Sequence, residues 1–468
     1  MNELDKSEPS VGRWCVIGAG PSGLTALKNL LALGIDAECL ERDDDVGGNW
    51  RFGASSSAVL ESTRLISSSR LTEYADFRMP REWPAHPTHS QCLEYLRDYA
   101  RHFGLVPSIR THSEVVRIER AGEGRTGWVV DVAGRGGSWY EGVVIATGHN
   151  REPRFPGIAE HFTGVRLHAC DYKSPTNPVA IAGKRVLVIG GGNSGCDIAV
   201  ECSRDAVATW HSTRRGYHVV PRFLLGRPSD LRNERLLRMG APLWLRRAMS
   251  LGAIDRAIGL PHRHGLPRPD HRLWETHPVI NDSLYERIDA GAIRPVADVA
   301  RFEGDAAIFT DGSREQFDVV IFATGYRTTM PFIDVEQLGG AIPGTDGVPD
   351  LFMHMLHPVR DDVAVVGLIQ PDSGQWGITD VQARLVARMA VARRRGGPAL
   401  AFLHRRRAAG WRRGPVRYVD SPRHVLEVEH HSYRRALSRI VAGMDRRLRA
   451  TSRGAEAAGC RRGPRGRG

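Results

Sequence analysis

The chain has no C-x-x-C pair, no cysteines and histidines alternating at metal-ligand spacing, and no apolar run near the ~18 residues needed to span a membrane. Its seven cysteines are scattered over 468 residues. That excludes a dithiol redox centre and a structural zinc, and it suits a reducing compartment. The opening MNELDKSEPSVGR lacks the apolar stretch of a signal peptide. Ser/His/Asp sets and paired carboxylates are also missing, so no hydrolytic machinery is indicated. Acid is short relative to base, 53 residues against 65, for a net charge of +12. Much of that excess lies in RRRGG, HRRRAAGWRR, the terminal RRGPRGRG and the arginines of 232–272. No helix-turn-helix, finger or RNP pattern accompanies them, so nucleic acid is not an expected partner. We expect a cytoplasmic protein without metal or stable membrane insertion. Residues 1–10 should be flexible and 445–468 a disordered basic tail.

What is present is a glycine turn, twice. RWCVI, a run of β-formers, leads into GAGPSG at 18–23; LTALKNLLALG then follows at helical spacing and IDAECLE returns as a strand. KRVLVI likewise leads into GGGNSG at 190–195, with CDIAVECSR as helix and DAVATWHST as the next strand. Strand, glycine turn, helix, strand is the setting of a dinucleotide fingerprint. Two further strands, VVIATGH and VVIFATGY, both end in Ala-Thr-Gly. The fold class is therefore α/β, with two Rossmann-like dinucleotide-binding domains, the second inserted in the first. We place the first domain at 11–175 and 325–440, and the second at 178–320 with a helical insertion at about 222–275.

The residues after each turn separate the two sites. Gly18 permits the tight turn, Gly20 lets a pyrophosphate approach and Gly23 lets helix and strand pack, with Ala19, Pro21 and Ser22 completing the loop. The helix N-terminus that follows favours an anion. Glu41 ends the next strand, where an acid accepts hydrogen bonds from a ribose and repels a 2′-phosphate; this site suits FAD or NAD. Gly190, Gly192, Asn193, Ser194, Gly195, Cys196 and Asp197 repeat the pattern. There the next strand runs TWHSTRRG without an acid, and Arg214 and Arg215 stand where a 2′-phosphate would lie. FAD as resident redox centre and NADPH as reductant is the economical pairing.

GAGPSG, the stretch ERDDDVGGNW, the ATGY strand and above all FTGVRLHACDYK at 162–173 resemble the class B flavin-dependent monooxygenases. The last fits FxGxxxHxxxY with Phe162, Gly164, His168 and Tyr172, which is similar to the flavin-containing, N- and S-oxygenating branch. The likeness implies oxygenation of a small-molecule soft nucleophile, an amine nitrogen or a sulfide, by O2 through a C4a-(hydro)peroxyflavin. It also implies that Gly48, Asn49 and Trp50 lie near the flavin ring. His168 is carried over as a catalytic candidate, with orientation of the NADPH domain as its other role. Where the family commonly has an asparagine, this chain reads ISSSR, so Ser67 or, one residue on, Ser68 would take that position. Gln375 and Thr379, in PDSGQWGITD, would open a helix toward the pyrimidine end of the flavin. The alternatives are Baeyer–Villiger oxygenation of a ketone, or a degenerate nucleotide-binding flavoprotein. The 222–275 insertion could cap the site, support a homodimer, touch a membrane surface or simply pack.

Overall fold

A computed structural model describes residues 12–460, apart from 56, 123–124 and 151, with side chains described as far as Thr451. The expected flexible residues 1–10 lie outside the described residues. The main strands are β1 (Trp14–Ile17), β2 (Ala37–Leu40), β3 (Ile109–Arg110), β4 (Gly142–Ile145), β5 (Val165–His168), β6 (Arg185–Ile189), β7 (Ala208–Ser212), β8 (Ile293–Val296), β9 (Val319–Phe322) and β10 (Val363–Val365). They form two parallel five-stranded sheets, ordered β10-β4-β1-β2-β3 and β8-β7-β6-β9-β5. Strands such as WCVI and VVIF are buried at every position because helices and loops cover both faces of each sheet. In chain order the second sheet lies wholly between β4 and β10 of the first.

Each central strand feeds a helix across a glycine turn: α1 (Pro21–Ala32) after β1 and α2 (Asn193–Asp205) after β6. Gly18 and Gly190 have φ of 95° and 125°, a region that only glycine enters without strain. A Cβ on Gly23 would lie 1.7 Å from the Gly18 carbonyl oxygen, and one on Gly195 1.9 Å from that of Gly190. Both helices therefore rest on their own turns, which fixes their N-termini at the strand ends. In each sheet the connections reverse direction beside the central strand, where a doubly wound fold opens a crevice.

The remaining helices needed here are α3 (Ser229–Arg238), α4 (Leu243–Ile258), α5 (Trp376–Arg395), α6 (Pro398–Ala408) and α7 (His430–Cys460). Buried Asp380 of α5 accepts hydrogen bonds from Thr25, Lys28 and Asn29 of α1 at 2.7, 2.8 and 2.9 Å, which sets α5 over the first turn. Helix α7 runs through residues expected to be disordered. Leu437, Ile440, Val441 and Met444 are buried at helical spacing and Leu448 packs on the same core, so the stripe carries the chain in helix to Cys460 despite its basic composition. The last eight residues of the expected tail, 461–468, lie outside the described residues.

The insertion is tied to the segment that returns to the first sheet. Arg246 of α4 pairs with Glu429 at 2.9 Å, both side chains 2% exposed, and stacks over Trp274. Glu234 of α3 pairs with His431 at 3.2 Å, and Val419 N donates to Glu275 O. The stretch 222–275 thus bridges the two halves of the molecule.

Candidate nucleotide sites

The first crevice is a cleft over the β1–α1 turn, walled by Gly18, Gly20, Pro21, Ser22, Glu41, Gly48, Asn49, Trp50 and Gln375 among others. Gly20 and Gly48 meet backbone to backbone; a Cβ on Gly48 would lie 3.1 Å from the Gly20 Cα. Their pairing leaves a floor without side chains, as a pyrophosphate requires. Ala19 does not line the cleft by its side chain, but its N–H donates to Glu41 Oε2 at 2.6 Å. Asp43 N–H donates to the other carboxylate oxygen at 3.0 Å. Burial pushes the Glu41 carboxyl up, and these two backbone donors pull it down. Each oxygen keeps a lone pair for a ribose hydroxyl. At the opposite end Trp50 meets Trp376 edge to face at 5.6 Å, backed by Tyr74 and Tyr95. Gln375, the residue before α5, donates to the carbonyls of Gly367 and Ile369 and so pins that wall.

Several lining residues are not among the site residues expected from the sequence: Arg42, Ser113, Thr147, His149, Phe332 and Gly367, although Arg42 lies in ERDDDVGGNW and Thr147 and His149 in VVIATGH. His149 stands four residues beyond the end of β4, and its Nδ1 is buried without a partner. Burial holds its ring below the ordinary histidine range. A polar residue shortly beyond the C-terminal end of a central parallel strand is the signal that could have found it. Thr379 is corrected: it is fully buried and its hydroxyl donates to Trp376 O, so it lies behind the cleft wall.

The second crevice is built on Gly190 and Gly192, with Asn193 fixed between Pro278 O and Ile280 N and Ser194 exposed. Cys196 packs in the core and bonds Tyr217, while Asp197 accepts from Asn281 at 2.7 Å and is pushed up to about 6 by burial. Arg215 pairs with Asp270 at 2.6 Å, an exposed pair that an incoming phosphate would have to share. Arg214 is exposed, and its charge acts on a second guanidinium not expected from the sequence, that of Arg423. Arg423 Nη2 would lie 3.4 Å from a Cβ on Gly192. Water reaches this residue, yet protein crowds it. Burial and Arg214 hold it below the usual arginine range while Glu427 pulls it up. The Thr213 hydroxyl, one residue before Arg214, is buried without a partner. Two guanidiniums, an orphan hydroxyl and a helix N-terminus around bare backbone fit a phosphorylated nucleotide.

The three catalytic candidates lie off the first cleft's wall. His168 is fully buried. Its Nε2 meets Gly325 O at 3.0 Å and its Nδ1 accepts from Cys170 N at 3.3 Å. Without an open face it cannot meet a substrate. It ties the end of β5 to the loop after β9, a positioning role. Ser68 is also fully buried; its N–H donates to Asp230 Oδ2 of α3 at 2.6 Å and its hydroxyl has no partner. Ser67 is half-buried next to it. The insertion therefore reaches the serine turn through Asp230. Among the described residues there is no cluster able to hold a metal ion, and no helix long and apolar enough to cross a membrane.

The family described as Flavin-binding monooxygenase-like matches residues 12–426. Flavin-containing monooxygenase 5 of Mus musculus is 33% identical over 446 residues, covering 89% of this chain and 80% of its own. Dimethylaniline monooxygenase [N-oxide-forming] 2 of Oryctolagus cuniculus is 33% identical over 80% of this chain and 72% of its own. Among solved structures, the S-allyl-L-cysteine S-oxygenase of Allium sativum aligns with TM-score 0.62 at 18% identity over 92% of this chain and 88% of its own. A cyclohexanone monooxygenase aligns at 0.64 and 17% identity over 92% and 98%. At such identities the structures establish the fold. Match and identities together place this chain in the flavin-binding monooxygenase family, as an FAD-containing, NADPH- and O2-dependent oxidoreductase.

Proposed function

We propose that the chain oxygenates a soft nucleophile, an amine nitrogen or a sulfide sulfur, of a small molecule. The observation that carries this reading is the neutral wall at the aromatic end of the first cleft, formed by Asn49, Trp50, Gln375 and Trp376. Attack on a ketone carbon needs a negatively charged oxidant and a cation to hold it, whereas a lone pair on nitrogen or sulfur attacks a neutral one. Tyr172 supports the same branch. It is buried and its hydroxyl meets Cys202, so its place in the motif is structural. The N-oxide-forming relative is consistent with nitrogen as the acceptor.

In this reading the 18–23 turn holds the FAD pyrophosphate, Glu41 the ribose, and Trp50 and Gln375 border the ring. Bound FAD, once reduced, supplies activation of O2 and transfer of one oxygen atom to the substrate, the other leaving as water. The protein's own part is orientation and exclusion of water. His149, kept neutral by burial, offers a hydrogen bond rather than a charge. Feeding the purified enzyme one tertiary amine, one dialkyl sulfide and one cyclic ketone tests the reading. Product matching NADPH consumed for amine or sulfide, and not for ketone, is expected; ketone turnover to ester alone would overturn it.

Arg214 and Arg423 divide the labour at the second crevice, the first at the 2′-phosphate and the second at the pyrophosphate. Arg214→Gln should lower the preference for NADPH over NADH by roughly 10- to 100-fold, the worth of one charge-assisted hydrogen bond. Arg423→Gln should raise KM for both coenzymes alike. Equal KM values for wild type and Arg423→Gln would remove Arg423 from the site.

A further inference from the structure

A second cavity, of about 700 Å³, shares no lining residue with the flavin cleft. It lies between the 350–359 segment, helix α6 and the 410–413 loop. Its floor is unusual in backbone and in chemistry. Met353 and His354, neither a glycine, have φ of 54° and 53°. Two consecutive left-handed residues cost about 1–2 kcal/mol each and persist only where the surroundings dictate them. Tyr433 OH holds the first by donating to Met353 O at 2.6 Å. His354 is 4% exposed, yet neither ring nitrogen has a partner. Burial and the nearby Arg413 push its pKa down to about 4, so at neutral pH the ring offers one N–H donor and one bare acceptor. Buried polar groups left unpaired are rare in folded proteins and mark a missing partner.

The rest of the lining says what that partner is. Arg413 is exposed at the cavity and acts electrostatically on His354. Arg407 is buried with its Nε unpartnered, its Nη1 being committed to Asp361 and to the carbonyls of Val359 and Arg360 and its Nη2 to Met389 Sδ. Trp411 stands edge-on to His354 at 5.7 Å and, with Phe352 and Pro358, gives an apolar side. Asp350, exposed at the rim, is the acid among the described lining residues. We propose that this cavity is a binding site for a small organic carboxylate with a compact apolar body, its carboxylate held by His354 and Arg413 and its body against Trp411.

The site is wired to the flavin cleft. Tyr433 OH, which holds Met353, accepts from Gln382 Nε2 at 2.8 Å, and Gln382 Oε1 accepts from Gly367 N at 2.9 Å. Gly367 lines the flavin cleft. Both Tyr433 and Gln382 are buried, so the chain between the two cavities is dry.

Calorimetric titration of the full-length, FAD-loaded protein with benzoate tests the proposal. Saturable binding is expected, weakened at least about tenfold by His354→Leu and by Arg413→Gln, each of which removes a hydrogen bond or charge. Arg214→Gln should leave it unchanged, and benzyl alcohol should bind at least about tenfold more weakly than benzoate. Arg413→Gln, a change at an exposed position, decides the matter if His354→Leu does not fold. No saturable binding up to about 10 mM benzoate, affinity indifferent to Arg413→Gln, or affinity lost instead in Arg214→Gln would each overturn it.

Discussion

A chain carrying Glu429→Leu is expected to lose about 3–5 kcal/mol of stability, because Arg246 is then left as a buried charge without its counter-ion. The pair is 2.9 Å apart with both side chains 2% exposed, and Arg246 Nε already lacks a partner. Asn233 at 3.2 Å and the Trp274 face supply only part of what the carboxylate gives. The double change Arg246→Leu/Glu429→Leu should restore most of the loss, since removing both charges also removes their desolvation cost. Urea unfolding of the four chains of this cycle, all loaded with FAD, checks it. Losses that simply add would refute the coupling. Because the pair joins the insertion to the segment bearing Arg423, the single variant should also raise KM for NADPH.

The second large effect concerns the flavin. Glu41→Ala removes the acceptor of two backbone N–H groups, at Ala19 and Asp43, in a part-buried turn. It also removes the acceptor proposed for the ribose. Losing the two hydrogen bonds proposed to the ribose hydroxyls, at roughly 1–1.5 kcal/mol each, amounts to on the order of a hundredfold in FAD affinity. Flavin absorbance per protein after desalting is the measurement, and Glu41→Gln, which keeps one carbonyl acceptor, should fall between. Full flavin content in Glu41→Ala would show that the carboxylate holds only the turn.

The two glycine turns were legible because their constraints are local. Spacing alone told that Gly23 lets helix and strand pack closely and that Gly195 repeats it; the structure shows the same contact in both, Gly23 on Gly18 and Gly195 on Gly190. Glu41 was legible for the same reason, standing at the end of the strand that follows the turn. Arg423 was not: DSPRHV has no pattern, and its guanidinium reaches Gly192 only because the chain returns there after more than 200 residues. His168 had two readings open in the sequence, contact with substrate and orientation of the NADPH domain, and its surroundings favour the second. Its motif marks a place in the chain, but full burial and two hydrogen bonds show a side chain that fastens a linker. For 445–460 composition and periodicity disagreed, and the stripe from Leu437 to Leu448 outweighed the arginines. The His354 cavity was invisible in sequence, since nothing in LFMHMLHPVR foretells consecutive left-handed residues.

The nesting of one sheet inside the other has a consequence for synthesis on the ribosome. Strands β1 to β4 are complete by Ile145, but β10, which pairs with β4 at Val363↔Val143, is translated only after the entire second sheet. Until then one side of β4 presents unpaired backbone, and the α5 partner of α1 does not exist. An exposed apolar strand edge of this kind recruits other nascent chains. The inner unit, by contrast, has all five of its strands in hand by Phe322. Messages truncated just after residue 322 should therefore yield an amino-terminal half that aggregates around a protease-resistant core starting near β5.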